Sequence, residues 1–215
     1  PFGSARAAQA AMAALHETVP LRQCTQRITP SRPTPACVLA GMGRCGAPCD
    51  GGQTREAYAE VAEAARALLT RDPQPLLAAA QRRMASLSAQ QRYEEAAAHR
   101  DRAGAFLRAL DRLQRLAALA GCPQIVAARP GFAGGWDLAV VRYGRLAGAA
   151  VVPHGAAPAP YLQALVATAE TVTPGAGPLG VGTAEEIGQI LSWLDGPGTR
   201  LVALEGEWAS PVDGA

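Results

Sequence analysis

The sequence predicts an α+β fold. An α-rich N-terminal module, built from a helix, a cysteine-bearing loop and a helical hairpin, precedes a small mixed α/β module. Three observations point there. Apolar residues recur at helical spacing through most of residues 4–18 and 54–120. Residues 20–53 lose that periodicity yet hold four of the chain's five cysteines. After Gly121 the texture changes to short apolar runs joined by Gly-containing turns. A chain of 215 residues, 49% of them hydrophobic, can build packed cores. No apolar run approaches the roughly 20 residues that span a bilayer, so a soluble, cytoplasmic piece of a longer chain with no membrane partner is expected.

Ser4 is the expected N-cap of a first helix over residues 4–18, with Ala8, Met12 and Leu15 on its apolar stripe and Pro20 just past its end. A second helix starts at Thr54 and runs to Thr70. It puts Tyr58, Val61, Ala62, Ala65, Leu68 and Leu69 on one side before Pro73 stops it. Helical spacing returns over 75–89 and 92–120, and the polar break at Gln90 and Gln91 predicts two antiparallel helices joined by a short link. Next come a short strand at Ile125–Ala128 and a hairpin of WDLAVV and RLAGAAVV about Tyr143-Gly144. Helices at Tyr161–Val172 and Thr183–Leu194, the latter with Glu185 and Glu186 in its first turn, lead to a strand at Leu201–Leu204. The Pro/Gly stretch Pro174–Gly182 reads as a surface connection. Residues 1–53, 54–121 and 122–215 are the expected modules.

All 20 basic residues are Arg. The formal charge of +2 hides an asymmetry: residues 1–50 hold five Arg against two acids, whereas residues 123–215 hold four against eight. The basic stretch is the one with the cysteines. Arg22, Arg27, Arg32 and Arg44 lie in or beside the cysteine loop, where guanidinium forks suit phosphate, and DNA is the expected partner. The absence of aromatic residues from 20–53 argues against base stacking there.

The cysteines fall as Cys24-x12-Cys37-x7-Cys45-x3-Cys49. Thiolates are soft ligands that suit an iron-sulfur cluster or zinc. Zinc knuckles usually carry C-x2-C pairs, which are missing here, so the spacing leans toward a cluster and leaves zinc open. Gly41, Gly43 and Gly46 allow close backbone approach to sulfur, and Pro30, Pro33, Pro35 and Pro48 restrict the unfolded chain. A loop with so little apolar content would draw its folding energy from ligation. Cys122, isolated near the end of a helical stretch, reads as a small buried apolar residue.

LRQC at 21–24, PACVLAGMGRC about Cys37 and GRCGAPC at 43–49 resemble the cysteine segment of the UvrC family, a component of the bacterial excision nuclease. PFGSARAAQAAMAAL at the start is similar to the stretch that follows that family's GIY-YIG nuclease domain, and SAQQRYEEAAAHRDRAGAF at 88–106 resembles its UVR motif. Residues 123–152 resemble the following strand pair more loosely. The resemblance implies a [4Fe-4S] cluster on Cys24, Cys37, Cys45 and Cys49. It also implies docking of a UvrB-like protein through Tyr93, Glu94, Ala97, Arg100 and Asp101. Ala96 and Arg102 match as well, while Gln91, Arg92 and Ala103 depart from the family's Leu, acid and Ile. The function implied is the non-catalytic part of a UvrC-like DNA repair nuclease, short at its C-terminus, that positions the nuclease on DNA. The alternative is a zinc- or cluster-stabilised DNA-binding or redox-sensing module without nuclease.

No complete catalytic set is legible. Asp137, Glu205, Glu207 and Asp213 are acids without a partner domain to assemble a two-metal site. Glu94 and Glu95, adjacent on a helix, point about 100° apart and read as a solvated face. His16, His99 and His154 fall on three different elements and are not read as ligands.

Overall fold

The computed structural model describes residues 2–29, 31–132 and 134–209, so the expectations for Pro30 and Asp213 lie outside the described residues. The chain forms two compact units, Phe2–Leu110 and Asp111 onward. Both expected halves of the α+β reading are present, and the first two expected modules share one core.

In the first unit, α1 (Ala5–Thr18) starts at Ser4, whose hydroxyl accepts from the Ala7 N–H at 3.1 Å. Its buried face is Ala11 and Ala14, with Leu15 half-buried. Met12, expected on the stripe, is 52% exposed. The face is rotated because alanines let α1 lie close against α4 (Gln74–Ala89), where a Met side chain would hold the two apart. Helix α3 (Arg55–Thr70) is capped by Thr54 and buries Ala65 and Leu68, with Val61 packed alongside. Ala62 and Leu69, expected on that face, are exposed because the apolar stripe is narrower than the sequence suggests. Leu76 of α4 packs with Phe106 and Leu110 from the middle of α5 (Tyr93–Gly121), so the start of one helix meets the interior of the next, as in an antiparallel hairpin.

Two helix ends use the same backbone device. At the end of α4, Gln91 N–H donates to Ser88 O and Arg92 N–H to Leu87 O, both at 2.9 Å, with Gln91 at φ 58°. This is a Schellman cap with a glutamine where glycine is usual. The cysteine loop contains a short turn of helix that periodicity does not predict, α2 (Val38–Gly41). It closes in the same way: Gly43 N–H reaches Ala40 O and Arg44 N–H reaches Leu39 O, with Gly43 at φ 69°.

The second unit is a four-stranded sheet in the order β3-β2-β1-β4, antiparallel throughout, formed by β1 (Gln124–Pro130), β2 (Trp136–Arg142), β3 (Arg145–Val152) and β4 (Arg200–Glu205). Successive β1 residues alternate between two buried faces. Ile125 and Ala127 pack with Leu116 and Leu119 of α5 and with Ile187 of α7 (Ala184–Leu194). Val126 and Ala128 pack with Leu138, Val140 and Leu165, the last from α6 (Pro158–Thr168). Tyr143 and Gly144 both have positive φ, the signature of the two-residue turn expected there. A Cβ on Gly144 would stand 3.1 Å from both Ala120 Cα and Ile187 Cγ1, so glycine is required for packing as well as for the turn. Cys122 is buried in this core as expected, and burial pushes its thiol up from the ordinary value. Arg142 was not singled out from sequence. It donates to Gln124 Oε1 at 2.8 Å and to the carbonyls of Val166, Ala169 and Glu170, tying the end of α6 to the sheet.

Candidate functional site

The four loop cysteines are all free thiols. Cys24 and Cys37 are exposed, Cys45 and Cys49 half-buried. Cys37 occupies the N-cap position of α2, and its carbonyl accepts from Ala40 N–H at 3.0 Å. Cys49 is fastened across the loop, its carbonyl taking the Thr34 N–H at 2.8 Å. Between them Ala47, at φ 53°, is buried, and Gly46 sits against the Gln53 side chain, whose Oε1 is buried with no hydrogen-bond partner among the described residues. Among the described residues no three His, Cys, Asp or Glu side chains converge tightly enough to hold one metal ion.

Arg22 turns into this loop. Its Nε donates to Cys24 Sγ at 3.0 Å, and Nη2 is buried without a partner among the described residues. The hydrogen bond to Cys24 is the largest cause holding the guanidinium above its ordinary value, and Cys49 and Tyr58 add to it through space. Arg27, Arg32 and Arg44 are exposed. Of the four arginines singled out from sequence, three therefore face solvent, and the fourth meets the sulfurs.

Along α5, Tyr93, Glu94, Arg100 and Asp101 are exposed and Ala97 is half-buried. Tyr93, Ala97 and Arg100 or Asp101 recur at helical spacing and so share one face. Arg100 pairs with its neighbour Asp101 at 2.8 Å. Ala96 and Ala103 point inward and are buried.

The same unit has a polar cleft of about 390 Å³ that sequence reasoning missed. Arg44 from the cysteine loop, Arg83 from α4 and His99 and Arg102 from α5 line it, together with Glu17 and Glu95. Glu17 accepts from both His99, Nδ1 at 2.9 Å, and Arg102, Nη2 at 2.8 Å. Glu95 is paired with Arg92, and that hydrogen bond is the main cause holding its carboxyl below the ordinary value, with Arg83 and His99 adding through space. Arg83 and His99 lie on helices remote in sequence from the cysteine motifs and carry no local pattern, so only the packing of four elements reveals them.

In the second unit Asp137 stands opposite Arg129, and Glu205 stands opposite Gln124 and accepts from it at 2.8 Å. These acids sit at opposite ends of β1, five residues or about 16 Å apart at strand rise. His154 meets Gly134 O through Nδ1 at 2.7 Å, and half-buried His16 has its pKa lowered by burial. An open groove of about 680 Å³ in this unit, floored by Ala139, Val141 and Ala149, is bounded by Arg129 stacked 4.9 Å over Trp193. No described helix is long and apolar enough to cross a membrane.

Residues 1–68 match the family model described as UvrC/Cho excinuclease, middle domain. Across its full length the chain is 39% identical to a Mycobacterium tuberculosis protein named as a bifunctional exonuclease/endonuclease, covering 34% of that protein. It is 38% identical over 53% of its length to UvrABC system protein C of Paramagnetospirillum magneticum, covering 18% of it. It is 36% identical over 47% of its length to the same protein of Geobacter metallireducens, covering 16%. The chain thus spans about a third or less of the length of these relatives. No solved structure matches it.

Proposed function

From the premise that this is a UvrC-like chain, we propose that it is the non-catalytic, cysteine-ligated segment of a DNA repair nuclease, which sets the nuclease on DNA and offers a helical docking face. The observation that carries this is the family match over residues 1–68, which takes in α1 and all four loop cysteines in one collinear block. The name of the Mycobacterium tuberculosis relative supports a nuclease as the parent activity.

Cys24, Cys37, Cys45 and Cys49 would hold a [4Fe-4S] cluster. The donor set has the chemistry for it: four reduced thiols on one loop, free of disulfides. The buried, unpartnered Arg22 Nη2 beside Cys24 is a donor lacking an acceptor, which suits an anionic sulfur-ligated centre. Bound there, the cluster would supply a cross-link for a loop with almost no core. Drawing the sulfurs together requires local movement of the loop, since they do not converge as they stand. Arg22 would neutralise thiolate charge, while Arg27, Arg32 and Arg44 would meet DNA phosphates. The Tyr93–Asp101 face would receive a UvrB-like protein.

The test is metal and sulfide analysis of the full chain purified without oxygen, together with its visible spectrum. Iron with acid-labile sulfide and broad visible absorption, lost in Cys45→Ser, is the expected result. Zinc without sulfide would replace the cluster with a structural zinc site, and neither metal would remove the ligated-loop reading. For DNA, Arg27→Ala with Arg32→Ala should weaken duplex binding and flatten its salt dependence by about two units of slope. Unchanged binding would refute phosphate contact by the loop. For docking, Tyr93→Ala should weaken capture of a UvrB-like protein without changing helix content.

A further inference from the structure

The cleft lined by Arg44, Arg83, His99 and Arg102 is a second place where cationic side chains gather, and it is built by four elements: α1, the cysteine loop, α4 and α5. Its charges do not cancel internally. Three guanidiniums face two carboxylates, and one of those carboxylates, Glu95, is already paired with Arg92. Glu17 is the one acid left to the cleft, and it bridges His99 and Arg102. That bridge holds both side chains but leaves Arg102 incompletely satisfied, because its Nε stays buried without a hydrogen-bond partner among the described residues. Arg44 and Arg83 make no ion pair among the described residues. Two unpaired guanidiniums and a third held by Glu17 around a cleft of about 390 Å³ suit a tetrahedral or planar oxyanion.

We propose that this cleft captures a backbone phosphate of DNA, with Arg83 and Arg44 as the contacting cations and Glu17 as the positioning residue for His99 and Arg102. The proposal rests on the reading of the chain as a DNA-positioning segment and deepens it. Arg44, with its backbone held by Leu39 O in the cap of α2, joins the cysteine loop to the helical hairpin at this point. Phosphate bound there would therefore touch both.

The experiment is anisotropy of a labelled duplex titrated with the full chain at several salt concentrations, comparing Arg83→Gln with Arg82→Gln. Both residues are exposed on α4, so neither substitution opens the core, but only Arg83 lines the cleft. Arg83→Gln should weaken binding about tenfold near 0.1 M salt and lower the salt slope by roughly one, while Arg82→Gln stays within about twofold of the parent. Equal effects of the two would reduce the cleft to general surface charge and overturn the proposal. So would a parental affinity for Arg83→Gln. If Arg27→Ala with Arg32→Ala weakens binding while Arg83→Gln does not, the cleft fails and the DNA-positioning reading stands. If the parent chain binds no duplex, both fall. Inorganic phosphate forms a separate arm: broadening of its 31P resonance that Arg83→Gln abolishes, with duplex affinity unchanged, would assign the cleft to a free phosphate and overturn backbone capture. Displacement by poly-glutamate, with duplex affinity again unchanged, would assign it to an acidic protein instead.

Discussion

In the sheet unit, Ile125, Val126, Leu138, Val140, Val141 and Ile187 are buried on two faces of one antiparallel sheet, whereas the helical unit packs Ala11, Ala14, Ala65 and Ala103 around Leu68, Leu76 and Phe106. The cysteine loop that follows α1 is poorer still, with Ala47 its buried apolar side chain among the described residues of 21–53. Burial at about 25 cal/mol per Å² stabilises the sheet unit amply, gives the alanine-rich helices less, and leaves the loop to backbone ties such as Thr34 to Cys49 and, on the proposed reading, to ligation of its thiols. The difference teaches where function can sit. The groups proposed for metal, phosphate and partner lie in the unit whose order depends least on a dense core, which fits the low stability expected of functional segments.

The largest effects should come from the two cores taken separately. Phe106→Ala should lower the stability of the helical unit by about 3–5 kcal/mol, and Ile187→Ala that of the sheet unit by about 2–5 kcal/mol, since both side chains are almost fully buried. Denaturant melts followed by helix signal and by tryptophan fluorescence, to which only the sheet unit contributes through Trp136, Trp193 and Trp208, would show two separately moved transitions. A single transition shifted by both would break the comparison.

Removing thiols sharpens it from the other side. Cys45→Ser with Cys49→Ser should open residues 20–53 to proteolysis while moving the sheet transition by less than about 0.5 kcal/mol. A larger shift would mean that the loop supports the sheet as well. At the hairpin tip, Gln91→Gly should raise the stability of the helical unit by about 0.5 kcal/mol, because φ 58° strains any side chain with a Cβ. A melt showing destabilisation would mean that the glutamine side chain contributes more than the strain costs.

The smallest expected effect is an acid one. Arg66 and Arg71 lower the Glu63 carboxyl from 4.5 to about 2. The folded unit thus binds fewer protons than the unfolded chain in that window, and the contribution is complete above pH 4.5 and lost as pH falls through about 2. All three side chains are largely exposed, so Glu63→Gln should only flatten the acid limb of the helical transition slightly. An unchanged pH profile would show that the pair is fully screened.

Local signals carried much of this molecule. Ser4 caps the helix it is expected to cap, the second helix begins at Thr54 as expected and uses it as its cap, and Tyr143-Gly144 turns the hairpin between the two predicted strands. These features need only neighbouring residues, and the cysteine spacing with its flanking motifs is legible for the same reason. Met12 fails because the apolar face of α1 is selected by what lies opposite, and helical periodicity alone cannot choose between Ala8-Met12 and Ala11-Ala14.

The amino-acid order by itself determined the α+β class, the boundaries of every described element but α2 to within a few residues, and the family-like block of cysteines, because propensity, capping and spacing act over a few positions of chain. Only tertiary structure decided that Arg22 turns inward to sulfur, that Arg142 ties α6 to the sheet, and that Arg44, Arg83, His99 and Arg102 share one cleft. Each of those facts depends on side chains from separate elements meeting across space, and distance in space is set by the packing of whole helices and strands rather than by the residues adjacent to each group.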